Sequence, residues 1–373
     1  MKILEQNNEN TITISTTASQ LVSFANQELP ATALAEIDAE TPLLEFGILD
    51  SLAMVSLLTF VETQFGVKVP DEAVVPEHFE TLTAMAMLVD DLNEEKDEAH
   101  NSTESNPMVD AVRLLEASGI ERQTTAVGLG EEMHTLHVSG AQPTWVLLPG
   151  LGNPSSSWGT VLQSLMDDTE AIAVDFAGFG LSSSLKERPT HEDHLQATMS
   201  LLESLNKGPY VLVGSSAGSM IATEIARQRP DWVHALVITG FGLIQDVHGW
   251  WARLQELSKT PEEFLDAAYY RAPQLTGTLQ RLIDVTLSSP AYQSFLEDDG
   301  LAAMRTTFDD LEIPTLFVNG QSDTIIPAEA VAAAAEHVPH AKLEWLARCG
   351  HFPPAEQPEE LIYVIRNFLK AIE

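Results

Sequence analysis

Apolar positions in the first 92 residues recur at helical spacing. Leu21, Phe24 and Ala25 share one face; Met54, Val55, Leu58, Val61 and Phe65 form a second stripe; Leu82, Met85, Val89 and Leu92 form a third. Three or four short helices in so few residues predict a small all-α four-helix bundle, with the stripes buried against one another. From Asn93 to Pro107 the chain is polar, charged and free of large apolar side chains. Such a stretch cannot bury enough surface to offset its ordering entropy, so we read residues 93–107 as a flexible linker.

After the linker the period changes. Short apolar runs predict strands over Thr144 to Leu148, Ala171 to Val174, Tyr210 to Val213, Ala235 to Ile238, Thr315 to Val318 and Leu343 to Leu346. Helical stretches lie between several of them, the clearest from Ala217 to Arg229, stopped by Pro230. The chain ends in a helix with Leu361, Val364, Ile365, Phe368 and Leu369 on one side. Alternating strands and helices predict a mostly parallel sheet covered on both faces. The stretch from about Gly242 to Arg305 breaks the alternation and reads as an inserted helical lid. The expected organisation is therefore a helical domain over 1–92, a linker over 93–107, and an α/β domain over 108–373 with a lid at about 242–305.

The length of 373 residues agrees with more than one core. No apolar run approaches the roughly 20 residues of a membrane helix, which excludes an integral membrane protein of that kind. The start lacks an apolar secretory core and the single cysteine cannot form an internal disulfide, so a cytoplasmic protein is expected. A net charge of −36 argues against nucleic acid or an anionic membrane as partner, because phosphates are bound by clustered Lys and Arg. The acidity is uneven: 3 basic and 20 acidic residues lie at or before Pro107, giving the N-terminal part over twice the charge density of the rest.

Two serines stand at positions with chemical meaning. The first is in Gly47-Ile48-Leu49-Asp50-Ser51-Leu52, where Ser51 falls at the start of the second helix. As a local pattern, Asp50 or Ser51 is simply an N-cap. The whole segment says more: a small acidic helical bundle, this turn, and Val67-Lys68-Val69-Pro70-Asp71-Glu72 after the helix. From about Thr17 to Leu92 the chain resembles an acyl or peptidyl carrier protein. That resemblance implies 4'-phosphopantetheine attached covalently to Ser51 by a phosphopantetheinyl transferase, giving a flexible arm whose thiol carries acyl groups as thioesters. Asp50, Glu62, Asp71 and Glu72 are either a docking face for basic partner enzymes, chiefly through association rate, or an ordinary solvated face.

The second serine lies in Gly214-Ser215-Ser216-Ala217-Gly218, between a predicted strand and a predicted helix. A Gly-x-Ser-x-Gly match is weak by itself; its strand-turn-helix setting gives it weight, because a tight turn there lifts the serine above the sheet. Only Ser216 has glycines at both flanks. A serine hydroxyl is a poor nucleophile without a base and an acid that orients it. Asp323 follows the strand ending at Val318, and His351 follows the last strand, in the order acid then histidine. His191, His194, His337 and His340 read as surface residues, Asp309 and Asp310 as weaker acids, and Cys349 as a small packing residue. From about Val109 to Glu373 the chain resembles the lidded α/β-hydrolase family, with Asp175-Phe176-Ala177-Gly178-Phe179-Gly180-Leu181-Ser182 as a further family-like loop. The resemblance implies a Ser216, Asp323 and His351 triad, with an oxyanion hole from the backbone N–H of Ala217 and of Leu151. Many members have His-Gly where this chain has Pro149-Gly150, which leaves the hydrogen bonding of that loop open.

Other motifs carry less. Gly150-Leu151-Gly152 lacks the third glycine of a dinucleotide fingerprint, Ser155 standing there, so no nucleotide cofactor is expected. His191-Glu192-Asp193-His194 is one residue short of the zinc-helix spacing, and no metal is expected in the mechanism. A carrier joined to a serine hydrolase implies a thioesterase-like enzyme of polyketide, fatty-acyl or nonribosomal peptide biosynthesis, fed by acyl-loading or upstream synthase enzymes. Two other readings stay open: an acyltransferase or ester hydrolase whose carrier serves another enzyme, and a carrier beside an inactive hydrolase scaffold. In the lid, Trp250, Trp251, Leu254, Leu257, Phe264, Tyr269 and Tyr270 are either an acyl pocket or the lid's own core.

Overall fold

A computed structural model describes residues 16–29, 37–49, 51–70, 73–94, 107–128, 131–184, 186, 188–257, 259–273, 283, 286–287, 289–296 and 308–372. The N-terminal unit consists of helices α1 (Thr16–Glu28), α2 (Ser51–Phe65), α3 (Pro76–Phe79) and α4 (Leu82–Glu94). Its stripes close on one another as their spacing requires. Leu21, Phe24, Met54, Leu58, Val61, Leu82, Met85 and Val89 share one core, and Phe24 stacks on Phe60 at 4.3 Å between ring centroids. Ile48 and Leu49 are buried in the same core, which pins the turn that leads into α2. Val55 departs from its expected place. It is buried, but against Leu265 of the α/β domain rather than in the bundle core.

Helix α5 (Pro107–Ala117) joins the two units. Leu114 is buried in the helical-bundle core, whereas Val112 and Leu115 are buried in the core of the α/β domain. Residues 95–106 of the expected linker lie outside the described residues, as do 258, 274–282, 284–285, 288 and 297–305 of the expected lid.

The described residues of the second unit hold one eight-stranded sheet: β1 (Glu121–Val127), β2 (Glu131–Val138), β3 (Ala141–Leu148), β4 (Thr169–Val174), β5 (Tyr210–Ser215), β6 (Val233–Thr239), β7 (Thr315–Gly320) and β8 (Lys342–Leu346). The order is β1-β2-β4-β3-β5-β6-β7-β8; β2 is antiparallel to β1 and β4, and the pairs from β4 to β8 are parallel. The six expected strands form at the expected places, each within a few residues. Strands β1 and β2 had no apolar run to mark them. In β1, Glu121, Arg122, Gln123 and Thr124 are exposed, and the strand is held by its ladder with β2.

Alternation along β5 shows how the sheet is covered. Tyr210 and Leu212 face a core with Leu195, Leu201, Met220 and Ile225 from helices α7 (His191–Leu205) and α8 (Ala217–Gln228). Val211 and Val213 face the opposite core, with Val161 and Leu162 of α6 (Gly159–Leu165) and Leu361, Ile365 and Phe368 of the C-terminal helix Pro358–Ile372. Helices α9 (Val247–Leu257) and α10 (Pro261–Ala268), within the region expected as a lid, line a cavity together with Ser216, which follows β5. Among the described residues no helix is long and apolar enough to cross a membrane.

Candidate active site

Ser216 sits in the turn between β5 and α8, at φ 51° and ψ −116°. This left-handed strain costs a non-glycine residue about 1–3 kcal/mol and persists only where its surroundings enforce it. They do so by close packing. A Cβ on Gly214 would stand 2.4 Å from Ser219 Cα, and one on Gly218 would stand 2.2 Å from the carbonyl oxygen of Leu148. The two flanking glycines are thus what allow α8 to approach β3 and β5. Ser216 N–H donates to the Thr239 carbonyl (2.8 Å), which ties the turn to the end of β6.

Asp323 follows β7 and His351 follows β8. His351 Nδ1 donates to Asp323 Oδ2 at 3.0 Å, with side-chain exposures of only 3% and 1%. The carboxylate is fully engaged: Asn319 Nδ2 also reaches Oδ2 (3.1 Å), while the N–H groups of Ile325 and Ile326 donate to Oδ1 (2.8 and 3.0 Å). Burial opposes ionisation here, yet the adjacent His351 and these hydrogen bonds outweigh it and hold the carboxyl below the usual carboxylate range. The imidazole is fixed from other sides as well. Its backbone N–H donates to the Ala268 carbonyl (2.6 Å), and Gly240, at φ 59°, leaves room for the ring, since a Cβ there would lie 2.8 Å from His351 Cε1.

The rival residues lie elsewhere. Asp309 bonds His337 at the surface (2.7 Å), and His340 ends a turn at φ 61°. His194 was expected at the surface and is instead buried, between the rings of Phe176 and Phe179, because its helix turns that face onto the 175–183 loop. Burial, with Glu356 and Asp323 adding, pushes the Cys349 thiol up, which keeps it protonated and unsuited to attack.

Leu151, Ser216, Ala217 and His351 all line one cavity of about 580 Å³. In the loop that bears Leu151, Asn153 N–H donates to the Gly150 carbonyl (3.1 Å), and the loop's far end is clamped by Asp175. This buried carboxylate accepts from Ser155 N–H, from Leu181 N–H (2.8 Å) and from His134 Nδ1 (2.8 Å), so backbone bonds and Asp175 order the loop that carries Pro149 in place of histidine. Trp250, Trp251, Leu254, Phe264 and Tyr269 line the cavity; Tyr270 is exposed and Leu257 packs on the core behind it. Most of the lid aromatics thus face the cavity.

Two supporting residues escaped the sequence reading. Asn319 Oδ1 accepts from Gly240 N–H (2.8 Å) while its amide holds Asp323, which couples the ends of β6 and β7. Glu356 accepts from Gly350 N–H (2.8 Å) and Tyr270 N–H (2.7 Å), tying the histidine loop to the base of the lid. Neither position has a sequence signal beyond its polarity.

Ser51 is the first residue of α2. Four residues on, Val55 lines the same cavity as Ser216 and His351. Asp50, Asp71 and Glu72 lie outside the described residues.

The turn serine Ser216 and the buried His351, bonded to Asp323, thus line one cavity. Residues 145–362 match the alpha/beta hydrolase family and residues 20–89 match the family described as phosphopantetheine attachment site. The chain belongs to the α/β-hydrolase family, with a carrier domain preceding the hydrolase domain. A carrier domain of this kind implies a covalently attached phosphopantetheine and dealings with a phosphopantetheinyl transferase and acyl-handling enzymes. The chain is similar to a 2-hydroxy-6-oxo-2,4-heptadienoate hydrolase of Pseudomonas putida, 25% identical over 69% of this chain and 96% of that protein. It is also similar to a monoacylglycerol lipase of Homo sapiens, 24% identical over 62% of this chain and 77% of that protein. Among solved structures, a meta-cleavage product hydrolase from Pseudomonas fluorescens has a TM-score of 0.58 at 20% identity, covering 67% of this chain and 98% of that one, a likeness of fold.

Proposed function

We propose that the protein is a carrier-linked serine hydrolase, thioesterase-like in its chemistry, that acts on an acyl thioester borne by phosphopantetheine on Ser51. The observation that carries this reading is the shared cavity: α2, which Ser51 opens, contributes Val55 to the wall of the space that holds Ser216 and His351. A carrier helix in that wall supports an arm attached at Ser51. When bound, that group supplies a thiol on which acyl chains are held as thioesters.

The chain's own residues then divide the work. Ser216 Oγ attacks the thioester carbonyl while His351 Nε2 takes its proton; Asp323, already bonded to Nδ1, orients the ring and stabilises its charge. The N–H groups of Leu151 and Ala217 receive the developing oxyanion. The carbon–sulfur bond breaks, His351 returns the proton to the leaving sulfur, and an acyl group is left on Ser216. Water, or an internal hydroxyl or amine activated by the same imidazole, attacks that ester and frees Ser216. The apolar lid side chains receive the acyl chain. Within this reading the carrier spans residues 1–92, the linker 93–107 and the hydrolase 108–373 with its lid at about 242–305. The setting is cytoplasmic polyketide, fatty-acyl or nonribosomal peptide assembly.

Intact mass after incubation with a phosphopantetheinyl transferase tests the first half. A gain that disappears in Ser51→Ala is expected; a gain that persists sinks the attachment site. Loading the arm with an acyl group tests the second: wild type sheds it and Ser216→Ala keeps it. Equal loss from both would leave Ser216 without a part in release. The similarity to hydrolases of small molecules favours one rival, in which the hydrolase acts on a free ester and the carrier serves another enzyme. Brisk turnover of free esters with no Ser216-dependent loss from the arm would select it.

A further inference from the structure

We propose that the carrier domain docks on the hydrolase domain of its own chain and forms a removable wall of the active-site cavity, favouring an acyl group that arrives from Ser51 over one that arrives free. The inference rests on the reading of Ser51 and Ser216 given above.

Four observations carry it. Val55, an apolar residue on a carrier helix, is 3% exposed and packs on Leu265 of α10, with Tyr269, Ala272 and Ile283 beside it. A carrier that floated free would leave Val55 in water. Val55 also lines the cavity together with Met108 and Ala111 of α5, so this side of the cavity is built by the carrier and its connecting helix. Helix α5 gives Leu114 to one core and Val112 and Leu115 to the other, which restricts the directions the carrier can take. At the turn before α2, Gly47 lies beside Thr160 of α6: a Cβ placed on it would be 3.7 Å from the Thr160 methyl, an ordinary contact. The contact thus runs from this turn to Val55, bracketing the helix start. Ser51 opens α2 one turn before Val55, about 6 Å along the axis.

The geometry assigns Val55 two consequences when the docked state is broken. The cavity loses a wall, which makes it more accessible to soluble esters. The arm loses its fixed starting point, so release from it falls toward what a flexible tether gives. A charge placed at Val55 in the apolar cluster separates the surfaces.

The test uses the full-length chain. Small-angle scattering on the wild-type apo protein is expected to give the compact radius of gyration of one body, about 21 Å for this length, and Val55→Asp to give a larger one. The same apo samples are assayed with a short p-nitrophenyl ester: kcat/KM is expected to rise at least threefold in Val55→Asp. Acyl loss from the loaded arm is expected to slow at least tenfold. Leu265→Asp attacks the same contact from the other side and should reproduce the expansion. An extended wild-type radius overturns the proposal whatever the variants do, including if they fail to fold. A compact wild type whose folded Val55→Asp variant shows no expansion, or shows ester hydrolysis falling together with arm release, also overturns it. The Ser216→Ala control keeps the readings apart: if it retains the acyl group while Val55→Asp changes nothing, docking fails and the hydrolase reading stands.

Discussion

Replacing Asp323 with Asn tests the buried acid at its most sensitive point. The carboxylate accepts from His351 Nδ1, Asn319 Nδ2 and the N–H groups of Ile325 and Ile326. An amide has one acceptor oxygen and an NH2 in place of the other. With the oxygen left toward the two backbone amides, the NH2 faces both His351 Nδ1 and the Asn319 amide. The imidazole can answer only by moving its proton to Nε2, where it can no longer take a proton from Ser216. Loss of the correct tautomer costs about 10⁴ in kcat, or about 5 kcal/mol at 1.36 kcal/mol per tenfold. Turning the amide over instead leaves the Ile325 and Ile326 amides without their acceptor. Either orientation strands a buried donor at about 1–3 kcal/mol, so a lower Tm should accompany the lost activity. The rate of Ser216 modification by a fluorophosphonate, read by intact mass, measures the nucleophile without knowledge of the substrate. It should drop by about three to four orders of magnitude in proportion to that lost kcat. A folded Asp323→Asn protein labelled within tenfold of wild type would refute Asp323 as the orienting acid.

Three further outcomes follow from individual contacts. Gly240→Ala sets a Cβ 2.8 Å from His351 Cε1 at a φ of 59°, so it should lose about 1–2 kcal/mol of stability from the backbone alone and slow the same labelling reaction; an unshifted Tm and rate would show that the ring has slack there. Glu356→Gln keeps size but exchanges one of two accepting oxygens for a donor facing the Gly350 or Tyr270 amide, and kcat should fall more than KM rises as the histidine loop loosens, measured on a soluble ester. His137 is held down to about 4, chiefly by burial and then by the Lys207 charge. The unfolded chain takes up this proton near pH 6.5 and the folded chain only near 4, so stability falls as pH drops through that window, by at most about 3 kcal/mol. Denaturant unfolding of His137→Gln should show a flatter decline over the same range, and a parallel decline would exclude His137 as its source.

Much of the site could be read along the chain because its signals are local. The turn holding Ser216 needs glycines two positions either side, and packing distances at Gly214 and Gly218 show why. Asp323 and His351 follow the ends of β7 and β8 in the order acid then histidine, and both the order and the strand ends are legible along the chain. Helices were legible where one face is apolar, and β1 was not, because its exposed Glu121, Arg122, Gln123 and Thr124 owe their extended form to the neighbouring strand. Asn319 and Glu356 were silent for a related reason: their partners Gly240 and Tyr270 lie 79 and 86 residues away.

Val55 marks the division most clearly. Its spacing with Met54, Leu58 and Val61 determined that it lies on an apolar side of a helix and is buried. Spacing carries no information on what does the burying. Met54, Leu58 and Val61 turn into the bundle, while Val55, displaced around the same helix, meets Leu265 more than two hundred positions later. Hydrophobic burial is non-directional, so any apolar surface of fitting shape can supply it. Only the packed chain decided that this surface is the edge of the cavity that holds Ser216.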